Sequence, residues 1–367
     1  MRILHINCNY ILSNLHQTMI ENLNKQGIQS DVFVPTYDVN RSIVDVKSYV
    51  RVVECFRKWD RLFYYKKQDR ILNAVCETYN CDQYECIHAY TLFSDGNVAL
   101  NLSEKYGIPY VVAIRNTDVN DFFRLMPHLR GRGIEIMRKA SAVFFLSNAY
   151  LDQVFKKYIP VKYHDEILQK THIIPNGIDD FWLNNSNVQS KRIDIKTGVK
   201  LVYAGRIDKN KNIPTTQKAM SILSDRGINT TLTIVGKIED KKEYLKILKN
   251  KRTRYLPAMP KEKLIDEYKK ADIFVMPSFT ESFGLVYAEA MSQGLPVIYS
   301  KGQGFDDQFA EGTVGFHVTS DDPKSVADGI EKIIDSFDAI RERTAVNARK
   351  FNWEDIAKRY VTIYKKI

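Results

Sequence analysis

Short apolar runs alternate with longer stretches whose apolar positions recur at helical spacing, nearly from one end of the chain to the other. In the first half the strand candidates are RILHIN (2–7), DVFVP (31–35), ECIHA (85–89), YVVAI (110–114) and AVFFL (142–146). Helical patterns fall between them, at 14–26, 60–79, 94–106 and 148–158. In the second half come KLVYAG (200–205), TLTIVG (231–236), ADIFVMP (271–277), LPVIYS (295–300) and VGFHV (314–318), again separated by helical patterns. Alternation on this scale predicts an α/β protein with parallel sheets covered by helices on both faces.

The alternation weakens once. After the PNGID turn (175–179) the chain reads DFWLNNSNVQSKRIDIKTG, polar and rich in Asn, Ser and Lys, as a linker would be. This predicts a first Rossmann-like domain over 1–184, a linker at 185–198 and a second Rossmann-like domain over 199–350. A terminal amphipathic helix over 351–367 follows, opening near Asn352. At 367 residues, two doubly wound units fit comfortably. In such sheets ligands bind beyond the carboxyl ends of the strands, so the chemistry is sought there.

Composition changes this picture little, and charge more. Hydrophobic residues make up 44% and charged residues 27%, a globular balance that excludes disorder. The formal charge of +10 favours anionic partners: phosphorylated ligands or an acidic membrane surface. Nucleic acid is not expected, because there is no zinc-finger spacing, no aromatic RNA-recognition signature and no dense basic arm. The five cysteines (8, 55, 76, 81 and 86) lack CxxC pairs and read as free thiols in a reducing cytosol. The start, MRILHINCNY, shows no signal-peptide pattern and no stretch reaches a membrane span, so the expected location is cytoplasmic, at most peripheral on the inner face of the cell membrane.

The strongest chemical signal is ESFGLVYAEAMSQGLPVI (281–298), directly after the strand ADIFVMPS. A helix is expected to begin near Phe283–Gly284. Gly284 lets a ligand approach the backbone, and the free amides of Phe283, Gly284 and Leu285 make a diphosphate site at the positive helix end. Glu281 before it and Glu289 inside it are spaced to reach opposite ends of an extended ligand. Read singly, Glu281 is equally a cap and Glu289 a surface charge; the package favours a ligand. The second signal is VYAGRIDKNKN (202–212), where Gly205 makes the turn and Arg206 and Lys211 converge on phosphate oxygens. A basic loop on a basic protein is its plainer reading.

The order HIIPNGID (172–179), AGRIDKNKN (204–212) and E-x7-E within ESFGLVYAE (281–289) resembles glycosyltransferase family 4. The resemblance implies the GT-B fold, two Rossmann-like domains facing a central cleft, and retaining transfer of a sugar from a UDP- or GDP-sugar. It implies that Arg206 and Lys211 bind the donor diphosphate, with Gly205 at the turn. Glu281 would hold hydroxyls of the transferred sugar and Glu289 the ribose, while Ser282, Phe283, Gly284 and Leu285 complete the donor contacts. The acceptor, a glycan or a lipid-linked precursor, is expected in the first domain, in loops that carry no readable code. The glycine-rich segment YSKGQGFDDQFAEGTVGF (299–316) is similar to a variant among members that act in capsule or exopolysaccharide assembly.

Two departures from the family pattern stand out. The loop after the first strand, NCNYILSNLHQ, has no glycine, leaving Asn14 or His16 to substitute. The H-G-T-D-like segment reads Arg115-Asn116-Thr117-Asp118, so Arg115 stands where a histidine is usual, suited to a phosphate or an anionic acceptor and unable to act as a base. No D-x-D triplet occurs, so cationic side chains take the role of a metal and no cofactor is expected. Glu281 and Glu289 are too far apart for double displacement. That leaves front-side transfer, with catalysis by positioning and charge stabilisation from Glu281, Arg206, Lys211 and Arg115. The stretch 55–71 interleaves Phe56, Trp59, Leu62 and Phe63 with Arg57, Lys58, Arg61, Lys66 and Lys67. It reads either as a helix on an anionic bilayer or as a helix with its aromatic face in the core. A sugar-nucleotide epimerase of the same fold and a catalytically silent binding subunit are the alternatives.

Overall fold

The computed structural model describes residues 1–186, 193 and 197–367. It divides into two compact units: Met1–Leu146 with Tyr150–Gly177 and Trp353–Ile367, and Ile178–Asn352 with Ser147–Ala149. The passage from one unit to the other falls at Gly177–Ile178, and of the segment expected as a linker, 187–192 and 194–196 lie outside the described residues.

The first unit is built on seven strands: β1 (Arg2–Ile6), β2 (Gln29–Thr36), β3 (Val50–Glu54), β4 (Cys86–Ala89), β5 (Tyr110–Ala113), β6 (Ala142–Phe145) and β7 (Thr171–Ile173). Their order is β3-β2-β1-β4-β5-β6-β7, and every pairing is parallel. Alternate residues feed two cores. Leu4, Phe33, Ile87 and Val112 pack on one face; Ile3, Val32, Cys86 and Val111 pack on the other with Ile356 and Tyr360 of the terminal helix Trp353–Tyr364. The chain order reverses beside β1, whose neighbours are β2 and β4, which opens a crevice beyond their carboxyl ends.

The second unit repeats the plan with β8 (Val199–Ala204), β9 (Thr230–Gly236), β10 (Thr253–Pro257), β11 (Ile273–Val275), β12 (Val297–Ser300) and β13 (Gly315–Val318). Their order is β10-β9-β8-β11-β12-β13, again all parallel. Here the switch lies between β8 and β11, the two strands that precede the singled-out loops.

Every strand expected from the apolar runs is present within a residue or two. Three were not expected: β3, β7 and β10. Each is an edge strand, half-exposed along most of its length, so its sequence (VRVVE, THI, TRYLP) lacks the continuous apolar run of a strand covered on both faces. The stretch 55–71 is not one helix: a 3₁₀ turn, Lys58–Leu62, precedes the helix Tyr64–Thr78. Phe56 is buried, but Trp59, Leu62 and Phe63 are exposed, so its aromatic residues do not form a core face. Among the described residues no helix is long and apolar enough to cross a membrane.

Candidate active site

Strand β8 ends at Ala204, and Gly205 turns the chain with φ +152°. A side chain there would press on the Tyr203 hydroxyl at 2.9 Å, which itself donates to the Arg206 carbonyl at 2.5 Å. The turn therefore requires glycine and is tied down on its far side. Arg206 extends outward with its side chain 66% exposed, 3.9 Å from Asp208. Asp208 accepts from the Lys211 amide at 3.0 Å and so starts the short 3₁₀ turn Lys209–Lys211 that aims Lys211 inward. The Lys211 ammonium meets the Glu281 carboxylate at 2.6 Å, with side-chain exposures of 12% and 10%. Residues 70 positions apart are thus brought together by the adjacency of β8 and β11.

The loop after β11 is braced from several directions. Asn210 donates to the Thr280 carbonyl at 2.8 Å and accepts from the Thr280 amide at 2.9 Å. Gln303 accepts from the Glu281 amide at 2.9 Å, and the Gly304 amide donates to the Glu281 carbonyl at 2.9 Å. A Cβ on Gly304 would stand 1.9 Å from the Ser282 carbonyl oxygen, so only glycine permits this approach. Asp306, buried, accepts from the Gly302 amide at 2.6 Å and faces His317 at 3.0 Å, which pins the glycine loop. Asn210, Gln303 and Asp306 are the positioning residues that the motifs did not reveal; only the spacing of Gly302 and Gly304 hinted at them.

The helix begins one residue later than expected: it spans Leu285–Ser292, with Gly284 as its N-cap in the left-handed region (φ +77°). The amides of Phe283, Gly284 and Leu285 have no acceptor among the described residues, and Phe283 is held by ring contacts to Phe305 and Phe351 at 6.4 and 5.5 Å. An anion at this end meets three free donors and the positive end of the helix. Glu289 sits one turn in, half-buried. Burial pushes its carboxyl up to about 7, Asp179 adds to the rise, and Lys261 and Trp182 oppose it. Asp179, from the PNGID turn, accepts from the Phe181 amide at 2.8 Å and pairs with Lys261. That turn therefore contributes a carboxylate to the surroundings of Glu289.

The structure brings Lys211 into contact with Glu281 and joins Ser282–Leu285 to the same loop. Arg115 belongs to the first unit and is held by residues of that unit. Its Nε donates to the Tyr90 carbonyl at 3.3 Å and its Nη1 to Asn176 Oδ1 at 3.2 Å. Asp118 gathers the amides of Leu92, Phe93 and Arg115 at 3.0, 3.1 and 2.8 Å, so the R-N-T-D segment is a fixed corner. Asn14 is exposed, whereas His16 is buried against the Tyr90 ring at 5.0 Å and burial lowers its pKa to about 3. His5 and His88 lie nearby, with ring centroids 5.7 Å apart, so three histidines that look scattered in sequence form one buried neutral cluster.

Comparison with known proteins identifies the family and the fold. Residues 15–180 match the family described as Glycosyltransferase Family 4, and residues 186–351 match Glycosyl transferases group 1. An uncharacterized glycosyltransferase of Methanocaldococcus jannaschii is 27% identical over 95% of this chain and 92% of its own length. Among solved structures, sucrose-phosphate synthase from Thermosynechococcus elongatus superposes with TM-score 0.75 at 18% identity, covering 100% of this chain and 98% of that one. Anabaena HepE, solved in complex with UDP and glucose, superposes with TM-score 0.69 at 17% identity over 100% of both chains.

Proposed function

The chain belongs to glycosyltransferase family 4 and has the GT-B fold, and from this premise we propose that its second unit binds the donor nucleotide sugar through the residues gathered between β8 and β11. The observation that carries the reading is the Lys211–Glu281 pair, set beside the Gly284-capped helix with its free amides. The pair stands beyond the carboxyl ends of β8 and β11, where sheets of this kind bind ligands. An arriving diphosphate takes Lys211, the exposed Arg206 and the helix N-terminus, and Glu281 then turns to hydroxyls of the sugar. Glu289 receives the ribose. The leaving diphosphate, stabilised by these cations, helps to deprotonate the acceptor hydroxyl on the same face, which retains the anomeric configuration. No carboxylate metal site is needed, and the donor is a UDP- or GDP-hexose.

The acceptor is a lipid-linked or cell-surface polysaccharide precursor in this reading. Support comes from the 55–71 stretch, where exposed Trp59, Leu62 and Phe63 stand among Arg57, Lys58, Arg61 and Lys66 and so suit an anionic bilayer surface. A thermal-shift screen of UDP-, GDP- and ADP-sugars tests the donor assignment, because a ligand bound only by the native state raises its melting point. One nucleotide class should stabilise the protein, and Arg206→Ala should abolish the shift. No shift with any sugar nucleotide would refute the reading.

A further inference from the structure

The first unit holds a cavity of about 520 Å³ at its own switch point. Cys8 and Asn9, just after β1, and Thr91 and Ser94, just after β4, line one side of it. Two properties of the lining are not explained by the folding of the unit. The first is charge. Arg41, Arg61, Lys67 and His128 line the cavity against a single lining carboxylate, Asp121, and among the described residues Arg41, Arg61 and Lys67 have no carboxylate partner. Two of them are oriented by rings: Arg41 lies over Tyr37 at 4.6 Å and Lys67 over Phe56 at 4.7 Å. Unpaired cations in a concave site focus a positive field on whatever enters.

The second property is Gln68. It lines the same cavity, is 1% exposed, and neither its amide nitrogen nor its amide oxygen has a hydrogen-bond partner. A buried amide left unsatisfied costs stability, and such a group in a native protein calls for an explanation. A hydroxyl-bearing ligand supplies it, since a sugar hydroxyl both donates and accepts.

The two properties together select the ligand chemistry. A neutral sugar satisfies Gln68 and leaves the cations unanswered; an aliphatic chain satisfies neither. We propose that this cavity binds the acceptor, and that the acceptor is a sugar bearing a phosphate or diphosphate group, with the anion held by Arg41, Arg61 and Lys67 and a hydroxyl by Gln68. The inference rests on the glycosyl-transfer reading and specifies the chemistry by which the acceptor is recognised. The phosphate is either that of a water-soluble sugar phosphate or that of a lipid-linked sugar diphosphate. Leu62, 83% exposed and also part of the lining, gives a lipid chain an apolar place to leave by.

Calorimetry on the full chain, with the donor site saturated by the nucleoside diphosphate that it binds, separates these cases. The probes are glucose, its 1- and 6-phosphates, and a farnesyl diphosphate-linked N-acetylglucosamine in detergent micelles. At least one phosphorylated probe should bind about ten-fold or more tightly than glucose. Arg41→Ala and Arg61→Ala, both at exposed side chains, should each remove about ten-fold of that affinity with the melting point unchanged. Gln68→Leu should weaken the sugar phosphates while leaving the protein as stable or more so. Preference for the water-soluble phosphates or for the micellar probe identifies the source of the group. Equal binding of glucose and every phosphorylated probe, or phosphate affinity unchanged in both arginine variants, overturns the inference. A protein that still binds the nucleoside diphosphate in that event keeps the donor reading, whereas one that binds neither loses both.

Discussion

Lys211→Ala should destabilise the second unit measurably, whereas Arg206→Ala should not. Lys211 and Glu281 face each other at 2.6 Å with side chains about one-tenth exposed, at 12% and 10%. Removing one partner of such a pair leaves the other charge poorly solvated, at a cost of about 3 kcal/mol for a pair this enclosed. Arg206 is mostly exposed and 3.9 Å from Asp208, a geometry worth little to stability. Both cations serve the diphosphate in the proposed site, so the two variants should lose donor binding alike and differ in urea denaturation. The neutral pair Lys211→Met/Glu281→Gln should recover most of the loss, because neither charge is then left behind. Urea midpoints for the three variants and the parent, at constant m-value, give the comparison. Equal midpoints for Lys211→Ala and Arg206→Ala, or a double variant no more stable than Lys211→Ala, would refute the electrostatic argument.

Other consequences follow from the same structure. With its carboxyl raised to about 7, Glu289 must ionise for both of its oxygens to accept from the two hydroxyls of a ribose diol, so nucleoside diphosphate affinity should fall as pH drops from 7.5 to 6. Glu289→Gln should flatten that dependence, and a flat profile in the parent would count against the ribose assignment. Burial lowers His5 and His16 to about 3 and His88 well below its ordinary value. Their folded values lie under the unfolded one, so their contribution is complete above about pH 6.5 and lost as pH falls, by roughly 1.4 kcal/mol per pH unit for each. Acid unfolding of the parent should therefore be steep between pH 6 and 4, and His16→Phe should reduce the slope by about one proton. Turnover should persist in EDTA, since side-chain cations neutralise the leaving group; loss in EDTA that Mg²⁺ restores would contradict this.

Much of the proposed donor site was legible because its chemistry is compressed into two loops that follow apolar strands. Gly205–Lys211 and Glu281–Glu289 each carry a recognisable pattern, and the adjacency of β8 and β11 does the rest. The bracing was less legible, since Asn210, Gln303 and Asp306 act largely through hydrogen bonds to the backbone that no spacing rule marks. The cavity of the first unit was not legible at all. Its lining comes from separate segments around Cys8, Arg41, Gln68, Thr91 and Asp121, which only the fold assembles. The edge strands β3, β7 and β10 escaped for a related reason: with little coverage they need no continuous apolar run. Likewise the 55–71 stretch shows helical spacing, yet a 3₁₀ turn interrupts it and leaves three of its large apolar residues exposed.

The most direct test of the central claim, that Glu281 serves the transferred sugar and Glu289 the nucleotide, is calorimetry of the bare nucleoside diphosphate and the full sugar nucleotide on two variants. Glu281→Gln frees Lys211 from its ion pair. It should therefore bind the bare diphosphate as well as the parent or better, while losing about ten-fold or more on the full donor. Glu289→Gln should weaken both ligands, since both contain the ribose. If Glu281→Gln weakens the bare diphosphate as much as Glu289→Gln does, the donor does not lie in the site as described.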